Sequence, residues 1–244
     1  MNSPPSKSRR FGPWVIAGLV LVPLAAIAAV YALFFTDDSP DKFTLDPPAG
    51  STRTTTAGAT GDTSVLDGTW TVASGSEAGY RVREKLAALP ATSDAVGRTE
   101  SVTGTVAVTR SGSQLVADSV DIEVDVSTLE SNEDRRDNRI RTQGLESDQF
   151  PTATFVSTAP VTLPAGTEAG QAVTADLTGD LTLHGVTKRV TIPLEVQLTG
   201  GQGQVVGSLK FPFSDFGMTP PSVGGFVTVE SDATLEFKLL LARG

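Results

Sequence analysis

One histidine, His184, and no cysteine limit the chemistry open to this 244-residue chain. A nucleophilic triad would have to use that histidine as its base. No Gly-x-Ser-x-Gly elbow or comparable setting accompanies it. A metal site needs several His, Cys or carboxylate ligands to converge, and one histidine without cysteine is a poor start. His184 shares strand parity with Asp180 and Thr182, the polar face, and stands directly before Gly185. A turn role is therefore preferred to catalysis. No cofactor and no metal are expected, and the chain is read as a non-enzyme.

Two other groups of residues could do binding chemistry. Arg135, Arg136, Arg139 and Arg141 are interleaved with Glu133, Asp134 and Asp137. One reading is a solvated helix face with pairs such as Glu133–Arg136 and Asp137–Arg141. The sharper reading is that one arginine, Arg136, meets a ligand phosphate. The second group is apolar. Phe211, Phe213, Phe216 and Met218 surround Pro212, with Phe150 and Phe155 upstream. Phenylalanine supplies 11 residues, against two Trp and two Tyr. Such residues build an ordinary core, or the wall of a pocket for an apolar ligand. Met218 is flexible enough to suit irregular ligands.

The elements that must position these groups are strands. Residues 177 to 198 hold two runs of period-2 alternation around a short turn, His184-Gly185-Val186-Thr187. Val190, Ile192, Leu194, Val196 and Leu198 fall on one face of the second run, and Thr191, Pro193, Glu195, Gln197 and Thr199 on the other. The spacing predicts a β-hairpin with one dry face. Further strands are predicted at 70–73, 80–86, 102–109, 115–126, 153–158, 204–211 and 226–241. Ser231-Asp232 is expected to bulge the last of them. Residues 129–146 break the alternation and read as a polar helical insertion, with Gly144 placed to end it. About eight strands point to a closed barrel able to hold one small ligand, although strand count alone leaves a sandwich open.

The wording of three segments adds a resemblance. Leu181-Thr182-Leu183-His184-Gly185-Val186-Thr187-Lys188 resembles the YceI-like family of lipid-binding proteins. So do Arg136-Asp137 followed by Phe150-Pro151-Thr152-Ala153-Thr154-Phe155, and Ser214-Asp215-Phe216-Gly217-Met218 before a final strand. The resemblance covers roughly residues 67 to 243. It implies an all-β fold: an antiparallel, lipocalin-like barrel with one helical insertion, holding an isoprenoid or other fatty amphiphile. It makes the histidine motif a signature of fold. Together with strand parity it sends Phe155, Leu181, Leu183, Ile192, Leu194, Phe213, Phe216 and Met218 to the interior, as ligand-binding candidates beside Arg136. Many relatives carry histidines near their first two strands. Here those positions read Glu77 to Leu86 and Val96 to Thr99, so ligand features that use those histidines do not carry over.

The N-terminal region sets the expected location. Residues 11–35 carry no charge, with Lys7, Arg9 and Arg10 before them and Asp37, Asp38 and Asp41 after. A helix of this length spans a hydrocarbon core of about 30 Å. The basic flank places the N-terminus in the cytoplasm and the rest outside. A retained anchor is preferred to a cleaved signal peptide at Ala26-Ile27-Ala28, because the apolar run continues well beyond that point. The expected organisation is a cytoplasmic tail at 1–12, a transmembrane helix at 13–35, a flexible linker at 36–66 and the barrel at 67–244. The linker is rich in Thr, Ser, Pro, Gly and Asp and has little apolar surface to bury. The chain has 19 basic against 28 acidic residues, a net charge of -9. Three of the basic residues lie in the first ten, which leaves 16 against 28 elsewhere. Nucleic acid is an unfavourable partner for such a surface. The alternative function is a non-catalytic adhesive or structural β-domain whose barrel is filled by its own side chains.

Overall fold

The computed structural model describes residues 39–47, 66–86, 92–167, 170–199, 201–223 and 227–244. The described chain forms thirteen strands, β1 to β13, and one α-helix, α1, at Asp134–Thr142. Eight strand positions close into an antiparallel barrel. β1 (Gly68–Val72) and β2 (Glu77–Leu86) run end to end along β13 (Val227–Arg243), with Val72 opposite Leu241 and Glu77 opposite Lys238. Ser76 fills the break between them. Its hydroxyl donates to Ala73 O at 2.8 Å and accepts from Leu240 N at 2.9 Å. β3 (Thr92–Thr99) and β4 (Val102–Ser111) form the next position in the same way. β5 (Gln114–Asp125), β7 (Thr152–Ser157), β9 (Val173–Leu183), β10 (Val186–Thr199) and β11 (Gln202–Pro212) complete the ring back to β13. β6 (Glu130–Ser131) adds to β3, β8 (Val161–Thr162) to β5 and β12 (Ser222–Val223) to β13. Pairing of β1 with both β4 and β13 closes the ring, which removes the sandwich alternative.

The β9–β10 hairpin shows why the register is firm. Val186 pairs with Leu183, so the connection is only His184-Gly185, two residues shorter than the sequence reading. Both residues have positive φ, 52° and 71°. Two such residues build the turn whose twist matches that of the flanking strands. The alternation then places Leu177, Leu181, Leu183, Ile192, Leu194, Val196 and Leu198 in one buried core. The expected bulge in the last strand is present: the pairing of β13 with β2 shifts between Val229 and Ala233. The helix is shorter than the insertion that contains it. Gly144, at φ 72°, stands one residue beyond its cap, Gln143.

Residues 39–47 differ from the expected flexible linker. They lie across the outer face of the barrel over β3, β2, β13 and β11. Arg81 Nη2 donates to Pro40 O at 2.7 Å, while Ser39 Oγ donates to Asp94 O. Arg98 donates to Asp41 O, and its guanidinium lies 3.8 Å from the Phe43 ring centre. Asp46 N donates to Gln204 Oε1 at 2.9 Å, and Lys238 Nζ meets Asp46 at 2.6 Å. Beneath this strap Glu236, 3% exposed, bonds Arg81 at 3.1 Å and Arg98 at 3.0 Å. Composition argues for disorder only when a segment has nothing to bind. These charged groups on three strands supply the binding surface that composition alone does not reveal. The expected tail at 1–12, the expected membrane helix at 13–35 and residues 36–38 and 48–65 of the expected linker fall outside the described residues. Among those described, no helix is long and apolar enough to cross a membrane.

Candidate functional site

The barrel interior gathers all eight apolar candidates. Phe155, Leu181, Leu183, Ile192, Leu194, Phe213, Phe216 and Met218 are buried and belong to one core cluster. Phe155 reaches inward from β7 over Gly179. A Cβ on that glycine would stand 2.3 Å from the phenylalanine ring, so the glycine makes room for it. The Phe211–Met218 segment keeps its side chains inside by a change of period. After Phe211 the chain forms a single 3-10 turn, Phe213–Phe216, which brings both of its phenylalanines inward three residues apart. Phe211 and Phe216 meet edge to face, with ring centres 5.1 Å apart. Gly217, at φ 67°, ends the turn and returns Met218 to the core.

At one end of the barrel lie α1, the 3-10 turn and the His184–Gly185 turn. His184 staples these pieces together. Nδ1 lies 3.1 Å from Phe216 O and Nε2 lies 3.1 Å from Glu146 Oε2. The ring also meets Phe150 edge-on at 4.5 Å. Sequence parity put this side chain on the wet face. In the fold its polar neighbours are a carbonyl and a carboxylate of the same chain, so the fold-signature role is a physical cross-link. Beside it opens a pocket of about 390 Å3, lined by Glu146, Gly144, Pro221 and Met218 among others. Met218 belongs both to this pocket and to the core. Among the described residues, no three histidines or carboxylates are grouped to hold a metal ion.

Arg136 sits at the same end, but not with the partner its helix position predicted. The expected Glu133–Arg136 and Asp137–Arg141 pairs do not form. Arg136 instead grips Glu84 of β2 through Nε and Nη2, both at 3.3 Å, and donates to Asn132 Oδ1 at 2.8 Å. Asp137 is buried and accepts from Ser131 N at 3.1 Å and Ser131 Oγ at 2.6 Å. Both residues turn toward the barrel because partners held at fixed positions on strands outcompete solvated partners along a helix. Burial works against the charge of Arg136, yet its bonds to Glu84 hold its pKa above the ordinary value. Next to this pair lies Tyr80, whose ring packs against the Gly97 backbone; a Cβ there would stand 2.4 Å from it. The Tyr80 hydroxyl is buried, faces Ser131 and has no hydrogen bond of ordinary geometry. Burial pushes its pKa well above the tyrosine range; Arg136 pulls it down, while Asp137 and Glu84 push it further up.

Tyr80 and Glu84 were missed by the sequence reading. A signal was present: both share parity with Ala78 and Val82, which are core residues, so a phenol and a carboxylate stand on the dry face of a strand. The partner of Glu84, Arg136, lies 52 residues away, and nothing local names it.

Comparison with known proteins agrees with this architecture. A UPF0312 protein of Vibrio vulnificus is 33% identical over 123 residues, which cover 48% of this chain and 61% of that protein. One from Vibrio parahaemolyticus is 34% identical over 47% of this chain and 61% of its own length. The chain thus spans less than two thirds of these curated relatives. Among solved structures, a polyisoprenoid binding domain from Saccharophagus degradans, implicated in plant cell wall breakdown, superposes with a TM-score of 0.53 at 18% identity. The match covers 72% of this chain and 98% of that one. It supports the barrel fold. The model of the YceI-like domain matches residues 51–241, and with most of its length matched the chain belongs to the YceI-like domain family.

Proposed function

We propose that this chain is a non-catalytic binding or carrier protein for an isoprenoid or fatty amphiphile. It is held by its N-terminal apolar segment at the outer side of a bacterial cytoplasmic membrane. The observation that carries the reading is the closed barrel whose inward faces form one continuous apolar cluster, with Met218 linking that cluster to a pocket at the helix end. The family, and the description of a fold neighbour as a polyisoprenoid binding domain, agree with it. Enclosing an apolar chain gains about 25 cal/mol per Å2 of surface removed from water, so a few isoprene units give useful affinity without a strong polar anchor. The uncharged run at 11–35 and its basic flank supply the tether.

Native mass spectrometry of the full chain after gentle membrane extraction tests the binding reading. A copurified apolar chain of defined mass is the expected result. A protein that carries none, and takes up none from added isoprenoids or fatty acids, is a self-filled structural domain instead. Protease added to intact spheroplasts should remove a C-terminal tag; protection of the tag reverses the proposed orientation.

A further inference from the structure

We infer that His184 and Glu146 form a pH-gated latch at the helix end of the barrel, closed while the imidazole carries two protons and open once it has lost one. The latch sets how fast an apolar ligand enters and leaves. It rests on the apolar-ligand reading above and adds a control that the reading lacks.

Backbone strain marks the two residues. Positive φ is costly for a side chain other than glycine. Among the described residues only two non-glycine residues adopt it, Glu146 at 50° and His184 at 52°. They stand 38 positions apart, yet they bond each other, with His184 Nε2 3.1 Å from Glu146 Oε2. Both line the same pocket of about 390 Å3, whose wall includes Met218 of the core. Strain that persists at a shared cavity points to a working part, because the surrounding structure has to hold it there. The connector from α1 to β7 is built round the strained residue. The carbonyl of Glu146 accepts from Gln149 N at 2.8 Å and from Phe150 N at 2.9 Å, and Phe150 meets the imidazole edge-on at 4.5 Å. The latch thus ties this connector to the β9–β10 hairpin.

Hydrogen-bond roles set the direction. Nδ1 lies 3.1 Å from the carbonyl of Phe216, and a carbonyl only accepts. Nε2 faces a carboxylate, which when ionised only accepts. A neutral imidazole has one N–H, so it serves one of these oxygens and turns a lone pair on the other. Only the imidazolium satisfies both, and its bond to Glu146 is then charge-assisted. When the ring loses a proton, Glu146 is the partner that leaves. Its side chain is 42% exposed and can turn to water, whereas the Phe216 carbonyl belongs to a buried turn. Glu146 is the one charged residue lining the pocket beside His184. The other charges on the packed elements are engaged away from the ring. Lys188 pairs with Asp215 at 3.1 Å and Arg189 with Asp180 at 3.0 Å. Arg139 donates to Ser222 O and Arg141 to Asn138 Oδ1, while Asp148 is exposed outside the pocket wall.

The test uses the full chain in detergent, carrying Trp14→Phe so that energy transfer to an uncharged fluorescent hydrocarbon, diphenylhexatriene, comes from Trp70 alone. The chain has one histidine, so 15N-histidine labelling reports His184 without ambiguity. Over a series from about pH 5 to 9, which brackets ordinary histidine titration, the ring should pass from two protonated nitrogens to one. Stopped-flow entry and exit rates should rise together by about ten- to a hundredfold, the range of one charge-assisted hydrogen bond, with the same midpoint as the ring. Affinity should stay within a few-fold, since a gate speeds both directions. Protection of the Gln149 and Phe150 amides against hydrogen exchange should fall over the same range. Glu146→Gln offers the neutral ring an amide donor, so exchange should be slow at every pH. Glu146→Gly removes the carboxylate and tolerates the backbone angle, so exchange should be fast at every pH. A ring whose protonation does not change across the series overturns the latch. So does a rate step that is absent, that has a midpoint different from the ring's, or that survives in either variant. A probe that binds none of the chains at any pH overturns the carrier reading. Amide protection then decides the latch alone: a step in the wild type that is flat in both variants upholds it, and any other pattern overturns it.

Discussion

Tyr80 should leave a signature in the alkaline limb of stability. Its folded pKa lies above the ordinary tyrosine value of about 10, so between those two values the native state holds a proton that the unfolded state has lost. Stability is unaffected below pH 10 by this residue and falls as pH rises above it. Denaturant midpoints of the wild type should drop faster than those of Tyr80→Phe beyond pH 10, and the curves should run parallel below. Parallel curves throughout would show that the hydroxyl reaches solvent. His184 gives a different expectation. His184→Ala removes two polar contacts and an aromatic edge contact at one turn, which costs about 1–3 kcal/mol. Affinity for an apolar chain, measured well below the new midpoint, should stay within a few-fold of the wild type. A folded variant that loses binding entirely would make the histidine a ligand contact and not a staple.

Strands and their outer cover act at the next scale. Glu236 of β13 holds Arg81 of β2 and Arg98 of β3, and both arginines also hold the strap at 39–47. One carboxylate thus ties three neighbouring strands to a crossing segment. Glu236→Ala leaves two guanidinium groups beneath the strap without their shared anion. Breaking a buried pair on one side costs about 3–5 kcal/mol, and the lower end applies here because Arg81 keeps Asp94. Urea denaturation should show that loss, and native-state hydrogen exchange should show the Asp46 amide, which now donates to Gln204, losing protection in the variant. Retained protection at Asp46 would mean that the strap is held by its far end alone. Lys238, which meets Asp46 of the strap, pairs with Val206 on the outer parity of β11, and that valine is buried. An outer-face position becomes interior when another part of the chain lies over it.

The barrel as a whole decides whether an interior side chain is core or ligand wall. Leu183 is buried next to the hairpin turn at the helix end. Under the proposed function, Leu183→Trp fills space meant for the ligand. Lipid uptake should then fall at least tenfold while stability changes by less than about 1 kcal/mol. In a self-filled barrel the same change overpacks the core, costing about 1–3 kcal/mol, and the parent takes up no lipid. Uptake and unfolding measured on one preparation separate the two outcomes.

The sequence alone determined the parts that depend on periodicity and local backbone preference. Alternation assigned Leu181, Leu183, Ile192 and Leu194 to one dry face, because side chains in a strand point to opposite sides in strict turn. The break at 129–146 located the helix, and Ser231-Asp232 located the bulge, since both are interruptions of that period. The family wording supplied barrel closure, which strand count left open. Only the tertiary structure decided which groups meet across distance. Arg136 chose Glu84 over Glu133, and residues 39–47 became a strap and not a free tether. Tyr80 was left with its hydroxyl buried beside Ser131 and the Glu84–Arg136 pair. Each of those outcomes depends on contacts between residues far apart in the chain, where no local rule names the partner. The energy of a charge or a hydroxyl is set by the groups that closure of the barrel brings around it.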